Sequence, residues 1–567
     1  MVTLAKDIIS NSCFSYNTIE DLVESGIDFY HESFERKDIS EIIARRNQLS
    51  KWVRDFHQKS HTLTPNVKEA IRNLQKDTCV VLMTAHQPNL FAYGGVLRKV
   101  TLNQVLAERL SERLGVPVVS FFGVADQDFV DDRWVKTAQL PDVEKRNGLL
   151  ELRFDAPEKL MINRVGKPSD RALNSWHNEI KSWINRQCAS IERESSISDM
   201  QIGNKGSELF KNFETFWELI QKANDLAGTY ADFNAFVISG IVNEVWEYNT
   251  LFSRFSDCQK IFESEFCGLL ANFEDYSNYV KEATGSEGKL NGGVFEKESE
   301  TIPFWYHCSC GSKTRLAVAY MGNSIGGSGS CVRCGKEYVF DFQSKTDPQI
   351  SGIASEISAR SLSMPLIFFH GLGISCYVGG VGGQEYLMQA KYVAKRLGLT
   401  FPPVLVWRPK DVYMGISQLN ALVHFKRLSG TYHFEQYETI KAKFEKELGE
   451  VDRKIQEIER QKVKIMGDVK IEKEERIQSL KDLAVKQCEL RRMANYSVLM
   501  RNFKLLKNVD GVLRLHPCVV DYAVNVGLKQ TSEQWIAFLK ENGDLSSNIS
   551  LKTSYNVPLQ SIVGILE

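Results

Sequence analysis

The 567-residue sequence has almost no net charge. Its 70 Lys and Arg face 71 Asp and Glu, so no overall electrostatic case exists for nucleic acid or an anionic membrane. The start, "MVTLAKDIISNSCFSY", lacks the basic flank, apolar core and small-residue cleavage site of a leader. Long apolar runs are also missing, since "VPVVSFFGVA" and "MPLIFF" are too short to span a bilayer. No repeat period is visible. A glycine-rich loop is present, but it matches neither the dinucleotide fingerprint nor the Gly-Lys-Ser/Thr ending of a P-loop. These absences lead to the expectation of a cytoplasmic protein with no membrane partner and no obvious nucleic-acid role. The composition, 43% hydrophobic and 25% charged, is that of an ordinary globular chain, and the length calls for more than one domain.

What is present begins with "CVVLMTAHQPNLFAYGGVLRKV", Cys79–Val100, where an apolar run enters a polar loop and then a helical pattern. That helix should end at Gly115, before a second apolar run from Val116. Strand, helix, strand in this order predicts a parallel sheet with a crossover. The α/β texture returns after residue 343. There "MPLIFF" reads as a strand, followed by a short strand, a glycine loop, a helix over 384–397 and a strand over 403–407. The expected units are a helical segment over 1–75, an α/β core over 76–302 with a helical insertion, a ribbon over 303–342 and the rest of the core over 343–433. A charged helical stretch follows over 434–507, with a helical tail over 508–567. Ile440, Phe444, Leu448, Val451, Ile455 and Ile458 recur at coiled-coil spacing, and the lapse near Gly467 predicts an antiparallel hairpin.

The strongest local motif is Cys308-x-Cys310 with Cys331-x-x-Cys334, each pair followed by glycine. Four thiolates so spaced predict a closed, structural zinc site. The remaining cysteines are scattered and read as buried thiols. A second signal is distributed over strand ends, where open parallel sheets bind ligands. It comprises Thr84, His86, Gln87 and Asn89; then Asp126, Gln127 and Asp128; then Gly379, Gly380, Gly382, Gly383, Gln384 and Glu385 before a helix carrying Tyr386 and Gln389. Taken singly, these read as caps and turns. Together they should converge on one crevice, with the glycine loop suited to phosphate or carboxylate.

These stretches, with "WRP" at Trp407–Pro409, the charged helices and the tail "LRLHPCVVDYAVNVGL", resemble in order the bacillithiol biosynthesis cysteine-adding enzyme family. The resemblance implies a Rossmann-like core and a C-terminal antiparallel coiled coil that supports a homodimer. It also implies a ligase that joins L-cysteine to the amine of glucosaminyl-malate. Amide formation requires an activated carboxylate, for which ATP with Mg²⁺ is the natural source. On this reading His86, Asp126 and Asp128 are catalytic. The other strand-end residues bind substrate, and Arg408 pairs with a substrate carboxylate.

The chain departs from the family where Thr84-Ala85-His86-Gln87 replaces Thr-Gly-Gln-Gln and Asp126-Gln127-Asp128-Phe129 replaces Asp-His-Asp-Phe. That exchange predicts that His86 and Gln127 meet. In the third motif Val381 and Gly383 stand for the family's Pro and Glu, and the four-cysteine insertion is a further departure. The alternatives are a ligase or transferase of the same scaffold acting on another substrate, or a zinc-ribbon nucleic-acid binder. The second would need Lys313, Arg315, Arg333 and Lys336 on one face.

Overall fold

The computed structural model describes residues 14–33, 39–193, 205–285, 298–407, 410–493, 495–543, 545 and 550–554. Strands β1 (Val80–His86) and β2 (Val118–Val124) lie parallel in continuous register from Val80↔Val118 to His86↔Val124. The helix Gly94–Leu114 joins them, closed by Gly115 in the left-handed region. Strands β3 (Thr137–Pro141) and β4 (Leu149–Arg153) form an antiparallel hairpin. Strand β5 (Leu251–Arg254) then pairs with the outer edge of β2.

A second sheet is antiparallel: β6 (Thr301–His307), β7 (Lys313–Met321), β8 (Ser324–Ser330), β9 (Glu337–Asp341) and β10 (Ile357–Ala359), in the order β10-β6-β7-β8-β9. The chain returns to the first sheet with β11 (Ile374–Gly379) and β12 (Val404–Val406), completing the parallel order β12-β11-β1-β2-β5. Chain connections leave β1 toward β2 on one side and β11 toward β12 on the other. The order reverses at β1, and the carboxyl ends of β1, β2 and β11 flank that point.

Both faces of this sheet are buried. Val80, Leu82 and Phe122 point into one apolar cluster, while Val81, Met83, Val119 and Phe121 point into the other. Period-2 side chains explain how adjacent residues feed opposite cores. The buried Arg46, from the helix Ser40–Lys59, donates to the carbonyls of Cys79, Leu372 and Gly373, tying that helix to the starts of β1 and β11.

"MPLIFF" is a helix, Ser363–Leu372, and not a strand. Nearly every residue in it is buried, so no polar face betrays a helical period, and short apolar runs look alike in both states. Its end at Gly373 displaces the strand to Ile374–Gly379. The charged stretch is two helices, Tyr437–Gly467 and Lys473–Met493, breaking where the apolar pattern lapses; a third helix, Tyr496–Arg514, follows. Among the described residues no helix is long and apolar enough to cross a membrane.

Candidate active site

The crevice is built from strand ends. At the end of β1, Thr84 is buried and donates to the Val378 carbonyl of β11. His86 uses both ring nitrogens: Nδ1 lies 2.9 Å from the Gln87 carbonyl and Nε2 lies 2.9 Å from the Tyr93 hydroxyl. A carbonyl can only accept, so Nδ1 carries the proton and Nε2 accepts from Tyr93. Burial, aided by the charge of Lys99, pushes the imidazole down to about 3. His86 is therefore neutral at physiological pH and orients Tyr93.

The next loop carries two aspartates with different surroundings. Asp126 is fully buried, accepts from the Ser256 backbone N–H at 3.0 Å and pairs closely with the Ser256 hydroxyl. Burial pushes its carboxyl up to about 6, against the opposing pull of Arg254 and Ser256. Asp128, in contrast, has a side chain 44% exposed. Its Oδ2 accepts from Gln87 Nε2 at 2.9 Å, and its Oδ1 lies 3.6 Å from the ammonium of Lys313.

His86 and Gln127 do not pair. His86 is engaged by Gln87 and Tyr93, and Gln127 donates to Gln259. The loops do meet, one residue further along each, through Gln87 and Asp128.

The glycine loop closes the third side. Gly379 ends β11 and its carbonyl accepts from Trp407 N–H. A Cβ on Gly380 or Gly382 would meet nothing within 4 Å, whereas one on Gly383 would come 2.8 Å from the Tyr386 hydroxyl. Gln384 and Glu385 begin the helix Gln384–Leu397, with Glu385 half-buried in its first turn. Burial pushes the Tyr386 phenol up to about 12, with the negative charge of Asp128 adding to the effect, and the bond from Thr84 to Val378 sets the start of this loop beside the end of β1. Asn89 is buried with both amide atoms unpartnered, and the buried Gln389 has an unpartnered Oε1. Buried polar atoms left without a partner mark places for ligand or water. Arg408 lies outside the described residues.

Several residues at this site escaped the sequence reading. Lys99 is buried, donates to the Ala85 carbonyl at 3.1 Å and is pushed down to about 8 by burial. Its signal was the adjacent pair Arg98-Lys99, set between Val96-Leu97 and Val100 in the helix. Arg254 and Ser256 arrive with β5, a strand of 4 residues in a stretch otherwise spaced as helix. Lys313 comes from the ribbon.

The cysteines converge as their spacing predicts. The four sulfurs lie within 4.8 Å of one another, with Cys308 and Cys334 3.6 Å apart and Cys310 and Cys331 3.5 Å apart. A tetrahedral zinc with Zn–S bonds of about 2.3 Å needs S–S separations of about 3.8 Å, so the donor set fits. Gly311 (φ 87°) and Gly335 (φ 72°) take the left-handed turns that bring the chain back under the sulfurs. Among the described residues this is the only group of three or more His, Cys, Asp or Glu that could hold a metal. A Mg²⁺ ion at the crevice would have Asp128 as its carboxylate, because both oxygens of Asp126 are taken by Ser256. The basic ribbon residues do not share a face: Lys313 is buried against Asp128, while Arg333 donates to the Cys310 carbonyl on the exposed side.

Asp126 has a consequence for stability. Its folded value of about 6 exceeds the ordinary 3.8, so the folded state holds the proton more tightly. Stability should then fall as pH rises from about 4 to about 6, by on the order of 3 kcal/mol. Asp126→Asn removes that dependence. Its stability relative to the parent should improve between pH 4 and pH 7 in urea unfolding; a constant difference would mean that Asp126 is ionised throughout.

Residues 11–231 match the family model described as Bacillithiol biosynthesis BshC, N-terminal Rossmann-like domain. No curated protein matches the sequence. A Campylobacter jejuni crystal structure described as a "putative arginyl t-RNA synthetase" aligns over 81% of this chain and 92% of that one, at 9% identity and a TM-score of 0.20. So low a score carries no argument about fold or activity.

Proposed function

We propose that this protein, BshC-like through its N-terminal Rossmann-like domain, is a ligase of bacillithiol-type thiol biosynthesis that joins L-cysteine to the amine of a glucosaminyl-malate-like acceptor. The BshC domain supports the pathway. The observation that carries the chemistry is Asp128, a half-exposed carboxylate whose two oxygens are held from opposite sides by Gln87 and Lys313. An anchored carboxylate facing solvent suits a substrate ammonium group. Asp126, buried and turned to Ser256, supports the loop from behind.

Forming the amide expels the elements of water from a carboxylate and an amine, which is uphill without activation. A bound nucleotide would supply that activation as an acyl phosphate or acyl adenylate. The backbone of Gly380–Gly382 offers N–H groups for a phosphate, with open space beside Gly380 and Gly382, while the N–H groups of Gly383 and Gln384 are bonded within the turn. Lys99, with its value near 8, is close to neutral pH and lies behind the end of β1. The four-cysteine ribbon is assigned zinc in a structural role.

Thermal-shift measurement tests binding before any turnover assay. Glucosaminyl-malate and L-cysteine, each at about 100-fold over its Kd, should raise the melting temperature by up to a few degrees. No shift with either compound would remove this substrate pair.

A further inference from the structure

We propose that the four-cysteine ribbon is a wall of the crevice: Lys313 positions Asp128, and the Cys308–Gly311 knuckle clamps the loop that carries it. The part played by Lys313 in substrate binding rests on the reading of Asp128 as the amine-binding carboxylate. The clamp does not.

Lys313 begins β7 immediately beyond the first cysteine pair, and it is buried. Its ammonium lies 4.9 Å from the Phe129 ring centre and 5.2 Å from that of Trp305, and its ion-pair partner is Asp128 Oδ1. An uncharged side chain could fill the space between those rings without the desolvation cost of an ammonium group. The charge therefore has work at Asp128. One carboxylate is split between two elements, with Oδ1 toward the ribbon and Oδ2 toward Gln87 at the end of β1. This fixes its plane, and its exposed side remains open to a substrate cation.

The knuckle reaches the same loop through the backbone. The Gly311 carbonyl accepts from Met161 N–H at 3.0 Å. The neighbouring amides of Ile162 and Asn163 donate to the carbonyls of Asp128 and Asp126 at 2.9 and 3.0 Å, and Val130 N–H donates to Leu160. A strap at 160–163 is thus held between the cysteine knuckle and the aspartate loop. The fit is close, since a Cβ at Gly311 would sit 3.1 Å from Leu160 and 3.2 Å from Arg164. Order at the four sulfurs is transmitted to Asp126 and Asp128 by a continuous run of hydrogen bonds, not by distance alone.

Amide hydrogen exchange on the full chain tests the clamp without a substrate. Stripping the metal with a chelator should speed exchange at Met161, Ile162 and Asn163 by about 10-fold or more, and reloading zinc should reverse it. Acceleration confined to 308–341 would overturn the clamp. Lys313→Met should speed exchange at Ile162, whose N–H is bonded to the Asp128 carbonyl, while the helix Gly94–Leu114 stays protected; unchanged exchange at Ile162 would overturn the positioning role. In turnover, Lys313→Met should raise KM for the amine substrate about 10-fold with a smaller change in kcat, and Lys313→Arg should recover most of the loss. A parental KM in Lys313→Met would likewise overturn that role. A parent without ligase activity would defeat the proposed reaction and leave both exchange results to decide the wall.

Discussion

Asp128→Asn should reduce kcat/KM for ligation by roughly 100-fold or more, with a smaller loss of melting temperature than Asp128→Ala, because the buried Lys313 loses its counter-charge but keeps a polar partner. The substitution keeps an oxygen for Lys313 and a side chain of the same shape beside Gln87, whose amide must turn over to present its oxygen to the new NH2, and it removes the charge that would meet the substrate ammonium group. Once a bound substrate covers the half-exposed Asp128, losing one partner of the hydrogen-bonded charge pair costs about 2–5 kcal/mol, and about 1.4 kcal/mol is tenfold in rate. Asp128→Ala is the poorer probe, because it removes the oxygen that faces the buried Lys313 ammonium as well as the counter-charge, whereas Asp128→Asn removes the charge and keeps a polar partner. Steady-state kinetics with the amine substrate varied, alongside a melting curve, separates catalysis from stability. Unchanged kcat/KM would remove Asp128 from the site.

Cys331→Ser should abolish metal binding and release the outer ribbon while the central sheet survives. The sulfur of Cys331 lies 3.5 Å from that of Cys310, and three remaining thiolates leave the tetrahedron incomplete. Metal binding supplies about 10–16 kcal/mol of folding free energy in small zinc modules, more than the outer strands could replace. On β9, Glu337, Val339 and Asp341 are exposed. The base of the ribbon differs, because Ile302, Phe304, Leu316 and Ile357 lie in the same apolar cluster as Val81 and Phe121 of the central sheet. Elemental analysis should show loss of the metal, and limited proteolysis should cut within 309–341 while the rest resists. A variant retaining both metal and protease resistance would contradict the structural-zinc assignment.

The parts of the fold legible in the sequence were those with a local physical signature. The β1–helix–β2 unit showed itself through an apolar run, a polar strand end and a helix closed at Gly115. The helical hairpin showed its break because charged, half-exposed helices keep an apolar seam, and that seam lapses at Gly467. The four-cysteine cluster was legible because spacing and glycine placement follow from coordination geometry. What failed was set by tertiary context. "MPLIFF" lost its period because almost all of it is buried, and the short β5 had no periodicity to display.

At the site, the meeting of the first two strand ends was anticipated but through the wrong residues. Side-chain reach, invisible in sequence, joins Gln87 to Asp128 and leaves His86 to Tyr93. Lys313 carried no sign of its burial, since a lysine after a cysteine knuckle reads as surface charge until the ribbon is docked on the 160–163 strap.

The most direct measurement is mass spectrometry of the product formed by the parent protein and by Asp128→Asn from L-cysteine, glucosaminyl-malate, ATP and Mg²⁺. The parent should yield a species equal in mass to the two substrates minus one water, and the variant should yield at most about one hundredth as much under the same conditions. No such species from the metal-loaded parent, or equal amounts from both proteins, would contradict a cysteine-adding ligase working at Asp128.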